Sequence, residues 1–271
     1  MEYSSVFCNT SSEYPLVDMT HLQWATKVSG TGTDGTYLKA QEDAQYYKMS
    51  LYSGNAVIGH ESLNEVVVSR LLRALGIAHV EYKLVNALVQ VNGITFQTPI
   101  CYSKEFKQSG ESNTSLEYDA LFSSLSPEEY ARSIDSEYID TMLLVDFVII
   151  NRDRHGANIE ILTSDTGKRF APLFDHGFSF VAPLQNDIVS IKSFDVLRNV
   201  QANNYIGSQS LLQNLQLIRK PVIMHQLSDA SLADIFLGLD QFFTPVHINK
   251  LKEIIVRRLE YVDSKNLCTY A

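Results

Sequence analysis

The sequence predicts an α+β fold in two lobes, a β-rich small lobe followed by a mainly helical large lobe. Three observations carry that prediction. The first half alternates strand-like runs with glycine-rich and Asn-Gly turns around one amphipathic helix. The second half carries helical periodicity with N-terminal capping signals. Between them, a polar stretch rich in Gly, Ser and Asn runs on from Phe106 to Ser115. The expected division is residues 1–106 for the small lobe and 107–271 for the large one. With 271 residues and 45% hydrophobic content, the chain is long enough to bury a sizeable core.

Residues Met1 to Leu22 are polar and Ser-rich and are expected to form an extended lead-in. From Trp24 the text becomes ATKVSGTGTDGTYLKAQ, in which Gly30, Gly32 and Gly35 stand among small hydroxylated residues ahead of Tyr37-Leu38-Lys39. Gln45 to Leu51 alternates as a strand, with Lys48 between aromatic and apolar neighbours. Glu61 to Gly76 reads as a helix, with Leu63, Val67, Leu71 and Leu75 on one stripe and Gly76 as its C-terminal stop. Glu65 lies one position from the edge of that stripe. Three strand-like runs follow, His79 to Val85, Ala87 to Val91 and Ile94 to Ser103, with Asn92-Gly93 as the turn between the last two.

In the second half, Ser126-Pro127-Glu128-Glu129 is a capping box with Pro at the first helical position. Ser136 is expected to cap a helix from Glu137 to Ile150, which delivers the polar run NRDRHGAN. A β-rich segment from Asn158 to Thr163 turns at Asp165 to Lys168 and returns through Phe170 to Phe174, reaching Asp175 directly before His176-Gly177. Phe178 to Arg198 has weak periodicity and reads as a mobile loop. Helices are expected over Ser208 to Leu217, Leu227 to Leu239 and Pro245 to Val262.

The chemistry concentrates between Asp146 and Gly177. A loop carrying Asp153 and Asn158, joined by a hairpin to Asp175, suits metal-assisted phosphoryl transfer. Mg²⁺ keeps several waters, so one amide oxygen and one carboxylate suffice beside the phosphates of ATP. Asp153 is then left to accept the proton of an attacking hydroxyl, with Asn158 and Asp175 at the metal. The bland alternative is a helix-to-strand connection whose Asp and Asn residues only make turns. Upstream, closely spaced glycines can bring backbone N–H groups against phosphates, which makes Gly32 and Gly35 candidates, although the same composition makes ordinary surface turns. Lys48 is the candidate phosphate lysine, and Glu65 either holds it there or pairs along its own helix. The link from Ser103 to Phe106 offers backbone groups to an adenine ring.

Composition excludes some classes. The 31 acidic residues against 22 basic ones give a net charge of −9, which argues against direct nucleic-acid binding or membrane-surface binding through bulk charge. Cys8, Cys101 and Cys268 lack metal-ligand spacing and read as ordinary thiols of a reducing compartment. The N-terminus has no signal-peptide pattern, and no run is apolar enough to span a bilayer, so a cytoplasmic protein is expected, with secretion through other signals left open.

The N-x-D-x-H-x-x-N text at Asn151, Asp153, His155 and Asn158, the FDHG at Phe174 to Gly177, the Asn64-Glu65 pair ahead of an apolar helix and Lys48 inside a strand together make the chain resemble the HipA-type serine/threonine kinases. These are the toxin kinases of bacterial toxin–antitoxin modules. The resemblance covers roughly Ser29 to the end of the chain and corresponds to a short form without the family's extra N-terminal subdomain. It implies a bilobal protein-kinase-like fold, ATP and Mg²⁺ as cofactors, a protein substrate with a Ser or Thr acceptor, and an antitoxin partner. It also implies His155 as support for the loop or a phosphate contact, and Ser29 as a candidate autophosphorylation site. The substrate would be a component of translation and the consequence growth arrest. The DRHGAN text is also similar to the loop of phosphatidylinositol kinases, so a lipid or small-molecule kinase on the same scaffold is the first alternative. A pseudokinase binding module is the second.

Overall fold

The computed structural model describes residues 14–26, 37–53 and 56–271. Ser29, Gly32, Gly35 and Cys8 lie outside the described residues. The elements run β1 (Leu16–Asp18), β2 (Lys39–Glu42), β3 (Gln45–Met49), β4 (Tyr52–Ser53), β5 (Ala56–Val57), α1 (Glu61–Ala74), β6 (Lys83–Val91) and β7 (Ile94–Lys104) in the β-rich part. The helical part contains β8 (Ser112–Ser115), α2 (Leu116–Ala120), α3 (Pro127–Ile134), α4 (Ser136–Ile149), β9 (Glu160–Ser164), β10 (Gly167–Phe170), α5 (Ile188–Ser193), α6 (Leu211–Asn214), β11 (Val222–Met224), α7 (Asp229–Ile235), α8 (Pro245–Ser264) and β12 (Cys268–Tyr270).

Five strands form the main sheet in the order β1-β6-β7-β3-β2. All of its pairings are antiparallel except β1, which lies parallel to β6 with Leu16 opposite Asn86. Part of the expected lead-in is therefore an edge strand, formed through backbone pairing that its polar composition does not signal. The expected runs His79–Val85 and Ala87–Val91 are one strand beginning at Lys83, because Asn86 continues the ladder opposite Pro99. The Asn92-Gly93 turn closes the β6–β7 hairpin with φ of 51° and 81°, the left-handed pair that a two-residue turn of this kind requires.

α1 packs on this sheet and ends as the sequence predicts. The Gly76 N–H bonds Arg73 O, the Ile77 N–H bonds Leu72 O, and Gly76 has φ of 72°, so the two bonds form a Schellman motif. Its burial exceeds a single stripe. Ser62, Asn64, Glu65, Val66, Val68 and Ser69 are buried as well, since the helix lies between the sheet and the helical part. Asn64 Nδ2 donates to Gly177 O at 2.9 Å, and Arg70 Nη1 donates to Ile235 O at 3.0 Å.

The capping box at Ser126 and Glu129 forms in both directions. The cap of α4 is Asp135 rather than Ser136, its carboxylate accepting from the N–H groups of Glu137 and Tyr138, and the helix begins one residue early. Ser136 instead accepts a bond from Arg132 Nη1. α4 is buried along most of its length and ends at Ile150, whose φ of 54° turns the chain sharply into the polar loop. The segment after Gly177 differs from the mobile loop expected. Phe180, Val181, Ala182, Ile191 and Phe194 are buried, and α5 lies within it. The two helices expected over Ser208–Leu217 and Leu227–Leu239 are shorter than predicted, α6 and α7, whereas α8 matches Pro245–Val262 and runs two residues further.

Candidate active site

Lys48 sits in the middle strand of the β2–β3–β7 surface, and its amine uses all three of its N–H donors. Nζ donates to Glu65 Oε1 at 2.8 Å, Asp175 Oδ1 at 2.9 Å and Tyr82 Oη at 3.1 Å. Burial disfavours its charge, but the two carboxylates outweigh that and raise its pKa well above the ordinary value. Glu65 reaches this position from α1 and is itself tied, its Oε2 accepting the His176 N–H at 2.9 Å. Burial pushes the Glu65 carboxyl up, opposed by Lys48. For Asp175, burial acts in the same direction but Lys48 and Lys39 overcome it, holding the carboxyl well below the usual carboxylate range.

Asp175 follows β10 and has φ of 57°, a conformation that a non-glycine residue adopts at a cost of order 1–3 kcal/mol and that here turns the carboxylate into the cleft. Gly177 lets α1 come close: a Cβ at that position would lie 3.0 Å from Glu61 Cβ. His176 between them is buried, and burial together with Arg154 keeps its ring neutral by lowering its pKa well below the ordinary value. Its Nε2 has no hydrogen-bond partner among the described residues.

The polar loop is organised by a residue whose role the sequence reading missed. Arg154 is buried to 1% exposure and forms a bidentate pair with Asp146 of α4, Nη2 to Oδ1 at 2.9 Å and Nε to Oδ2 at 3.0 Å. Its other nitrogen, Nη1, donates to Asn158 O at 3.0 Å and Phe174 O at 2.8 Å. One guanidinium thus joins the helix before the loop, the end of the loop and the residue before Asp175. Asn151 completes the frame, donating to Asp146 Oδ1 at 2.8 Å and accepting the Asp153 N–H at 3.1 Å. The only sequence signal was an Asp inside the otherwise apolar run from Met142 to Ile150, five residues before Asn151.

Within this frame Asp153 is half-exposed, accepting from Asn203 Nδ2 at 3.2 Å with His155 Nε2 3.7 Å away. Asn158 Nδ2 donates to Asp153 O at 2.9 Å, which leaves Oδ1 without a donor among the described residues. One cavity is lined by Lys48, Glu65, Asp153, His155, Asn158 and Asp175, with Tyr37, Lys39 and Glu61 closing it. No group of three or more His, Cys, Asp or Glu side chains suited to a metal occurs among the described residues. One amide oxygen and one ionised carboxylate nevertheless fit Mg²⁺, which draws its remaining ligands from water and phosphate.

A second cavity continues from the first and shares Lys39, Lys48 and Asp175 with it. It reaches Ser103 and Phe106, with Val80, Tyr82 and Phe174 as apolar wall. Lys39 lies opposite Lys48 in the β2–β3 register, and burial lowers its pKa. At the link, Glu105 Oε1 accepts the N–H groups of Phe106 at 3.1 Å and Lys107 at 3.2 Å, and its Oε2 accepts from Tyr46 Oη at 2.8 Å. The structure therefore brings together Lys48, Glu65, Ser103, Phe106, Asp153, His155, Asn158 and Asp175 along one cleft. Lys39, Tyr82, Glu105, Arg154 and Asn203 join them from outside the expected set.

No protein-family model matches the chain, and no curated protein sequence matches it. Solved structures do. The proinflammatory kinase CtkA of Helicobacter pylori aligns over 93% of this chain and 97% of its own, at 15% identity and a TM-score of 0.59. Hydra Fam20, solved with sugar, aligns over 89% and 87% at 12% identity and a TM-score of 0.41. HipA of the Shewanella oneidensis toxin–antitoxin system, solved with HipB and operator DNA, aligns over 86% of this chain and 56% of its own at 15% identity and a TM-score of 0.40. The likeness to CtkA shows the fold: this chain has a bilobal α+β kinase fold, as its resemblance to HipA-type kinases implied.

Proposed function

We propose that the protein is an ATP- and Mg²⁺-dependent kinase that phosphorylates serine or threonine on a protein. The observation that carries this reading is the Lys48 amine held between Glu65 and Asp175 at the floor of a cleft that Asp153 and Asn158 also line. Asn158 Oδ1 and the Asp175 carboxylate would hold Mg²⁺, which, when bound, neutralises charge on the phosphates. Lys48 and Lys39 supply positive charge for the phosphates of ATP, and the second cavity takes the adenine. Asp153, kept in place through Asn151, Arg154 and Asn203, orients the acceptor hydroxyl and takes its proton. The hydroxyl oxygen bonds the γ-phosphorus as the bond to the β–γ bridging oxygen breaks and ADP leaves. His155 beside Asp153 serves as a phosphate contact or as support for the loop.

The small lobe, residues 1–106, brings the phosphate lysine and the large lobe, 107–271, the base and metal ligands. The motif resemblance to HipA-type kinases supports a finer reading, a growth-arresting toxin acting on a component of translation and restrained by an antitoxin. No helix among the described residues is long and apolar enough to cross a membrane, and a cytoplasmic location is part of the same proposal. Incubating a cell extract with the protein and [γ-³²P]ATP, followed by phosphoamino-acid analysis, tests acceptor class. Label on phosphoserine or phosphothreonine that disappears with EDTA is expected, and label confined to lipid would transfer the assignment to the lipid-kinase alternative.

A further inference from the structure

An unusually apolar surface borders the polar loop. Leu121 is 74% and Phe122 79% exposed, and Tyr118 and Leu125 extend the patch, with the Tyr118 and Phe122 rings edge to face at 5.5 Å. Exposed groups of large apolar side chains of this kind mark interaction sites more often than chance. Tyr118 and Leu121 also line a groove, together with Tyr205 and Ala157. Ala157 belongs to the loop between Asp153 and Asn158. Tyr205 lies on a segment that runs along the loop, with the Asn203 N–H on Arg152 O at 2.7 Å and the Tyr205 N–H on Arg154 O at 2.9 Å. The groove thus begins on the loop that carries Asp153.

Its charge has one sign. Among the described residues lining it, Glu117 and Glu160 are carboxylates and none is a cation. Glu160 accepts from Asn113, whereas Glu117 has no ion-pair or hydrogen-bond partner among the described residues. Glu117 instead packs close to Gly156, where an added Cβ would come 2.5 Å from Glu117 Cβ, which places Glu117 at the groove edge nearest the loop. A segment lying in this groove meets an apolar wall, an uncompensated negative charge and Ala157 of the loop that carries Asp153.

We propose that the groove seats the acceptor segment of the protein substrate, with an apolar side chain against Tyr118 and Leu121 and a Lys or Arg against Glu117. This rests on the kinase reading of the cleft and specifies its substrate class: a basic, apolar-flanked Ser or Thr segment. Such a segment gains area on the apolar wall and a charge partner in Glu117, while an acidic segment meets repulsion from Glu117 and Glu160.

The test is phosphate transfer from [γ-³²P]ATP by the full chain to a degenerate peptide array with a fixed central Ser. Peptides pairing Arg or Lys with Leu or Phe should be labelled roughly tenfold more than those carrying Asp or Glu at the same position. Leu121→Ser should raise KM for the preferred peptide about fivefold to tenfold, with kcat and the KM for ATP unchanged. Glu117→Lys should reverse the charge preference, and Glu117→Gln should flatten it. Both positions are exposed, and matched melting curves check the fold. Transfer that is indifferent to peptide charge, with unaltered KM in both variants, overturns the groove assignment alone. Absence of transfer from the wild-type chain to any peptide or extract protein overturns the kinase reading and the groove with it.

Discussion

Replacing Arg154 with Met should unfold the protein at markedly lower denaturant, and the structure sets the size of the effect. The guanidinium is buried, pairs twice with Asp146 and donates to the carbonyls of Asn158 and Phe174. Without it Asp146, only 4% exposed at its side chain, is a buried carboxylate supported by Asn151 alone. Removing one partner of a buried pair costs about 3–5 kcal/mol. Each orphaned carbonyl adds about 1 kcal/mol or more, though the terms overlap within one network. A loss of about 4–5 kcal/mol is expected, equivalent to a fall in Tm of roughly 10 °C or more for a chain of this size. Urea unfolding of Arg154→Met, Asp146→Leu and the double variant measures it. The double variant should recover much of the loss because no unpaired charge remains buried. A single-variant loss under about 1 kcal/mol, or a double variant no better than Arg154→Met, would refute the keystone role.

Three further outcomes follow from the same geometry. Lys48→Ala should weaken ATP binding at least tenfold by calorimetry while leaving a folded protein, with unchanged affinity removing Lys48 from the phosphate site. Glu105→Ala should release the Phe106 and Lys107 N–H groups for the base and tighten ATP binding several-fold, whereas weaker binding would show that the Glu105 clamp serves recognition. Burial and His247 hold the His60 ring down at about 4 against an ordinary 6.5, so the unfolded chain takes up a proton the folded chain refuses, and stability falls as pH drops from about 6.5 to about 4. His79 and His176, also lowered by burial, contribute in the same direction. In His60→Phe the fall measured by urea unfolding should be shallower, and an unchanged profile would remove His60 from the titration.

The local elements were legible where one rule dominates. Gly76 stops α1 and Asn92-Gly93 closes a hairpin because left-handed backbone leaves few residue choices. Ser126 and Glu129 cap α3 because a Ser-x-x-Glu with Pro inside it answers the first orphaned N–H groups. The residues expected in the site, Lys48, Glu65, Asp153, Asn158 and Asp175, do line one cavity. What was not legible depends on contacts distant in sequence. Arg154 reads as a loop arginine until Asp146, Asn158 and Phe174 converge on it. Asn203 lies fifty residues beyond Asp153 in a stretch without periodicity. The stretch after Gly177 looked mobile because its buried residues follow no helical or strand repeat, and the β1 pairing rests on backbone bonds that side-chain pattern does not report.

The central claim is that Asp153 is the base of a phosphoryl-transfer site whose nucleotide is held by other residues, and Asp153→Asn tests it most directly. Asparagine keeps the size of the side chain and can still accept from Asn203, so the fold and Mg²⁺-ATP binding should stay within about twofold of wild type. Transfer of ³²P to the protein substrate should fall by about two orders of magnitude or more. Transfer at the wild-type rate in a variant that binds Mg²⁺-ATP normally would contradict the assignment.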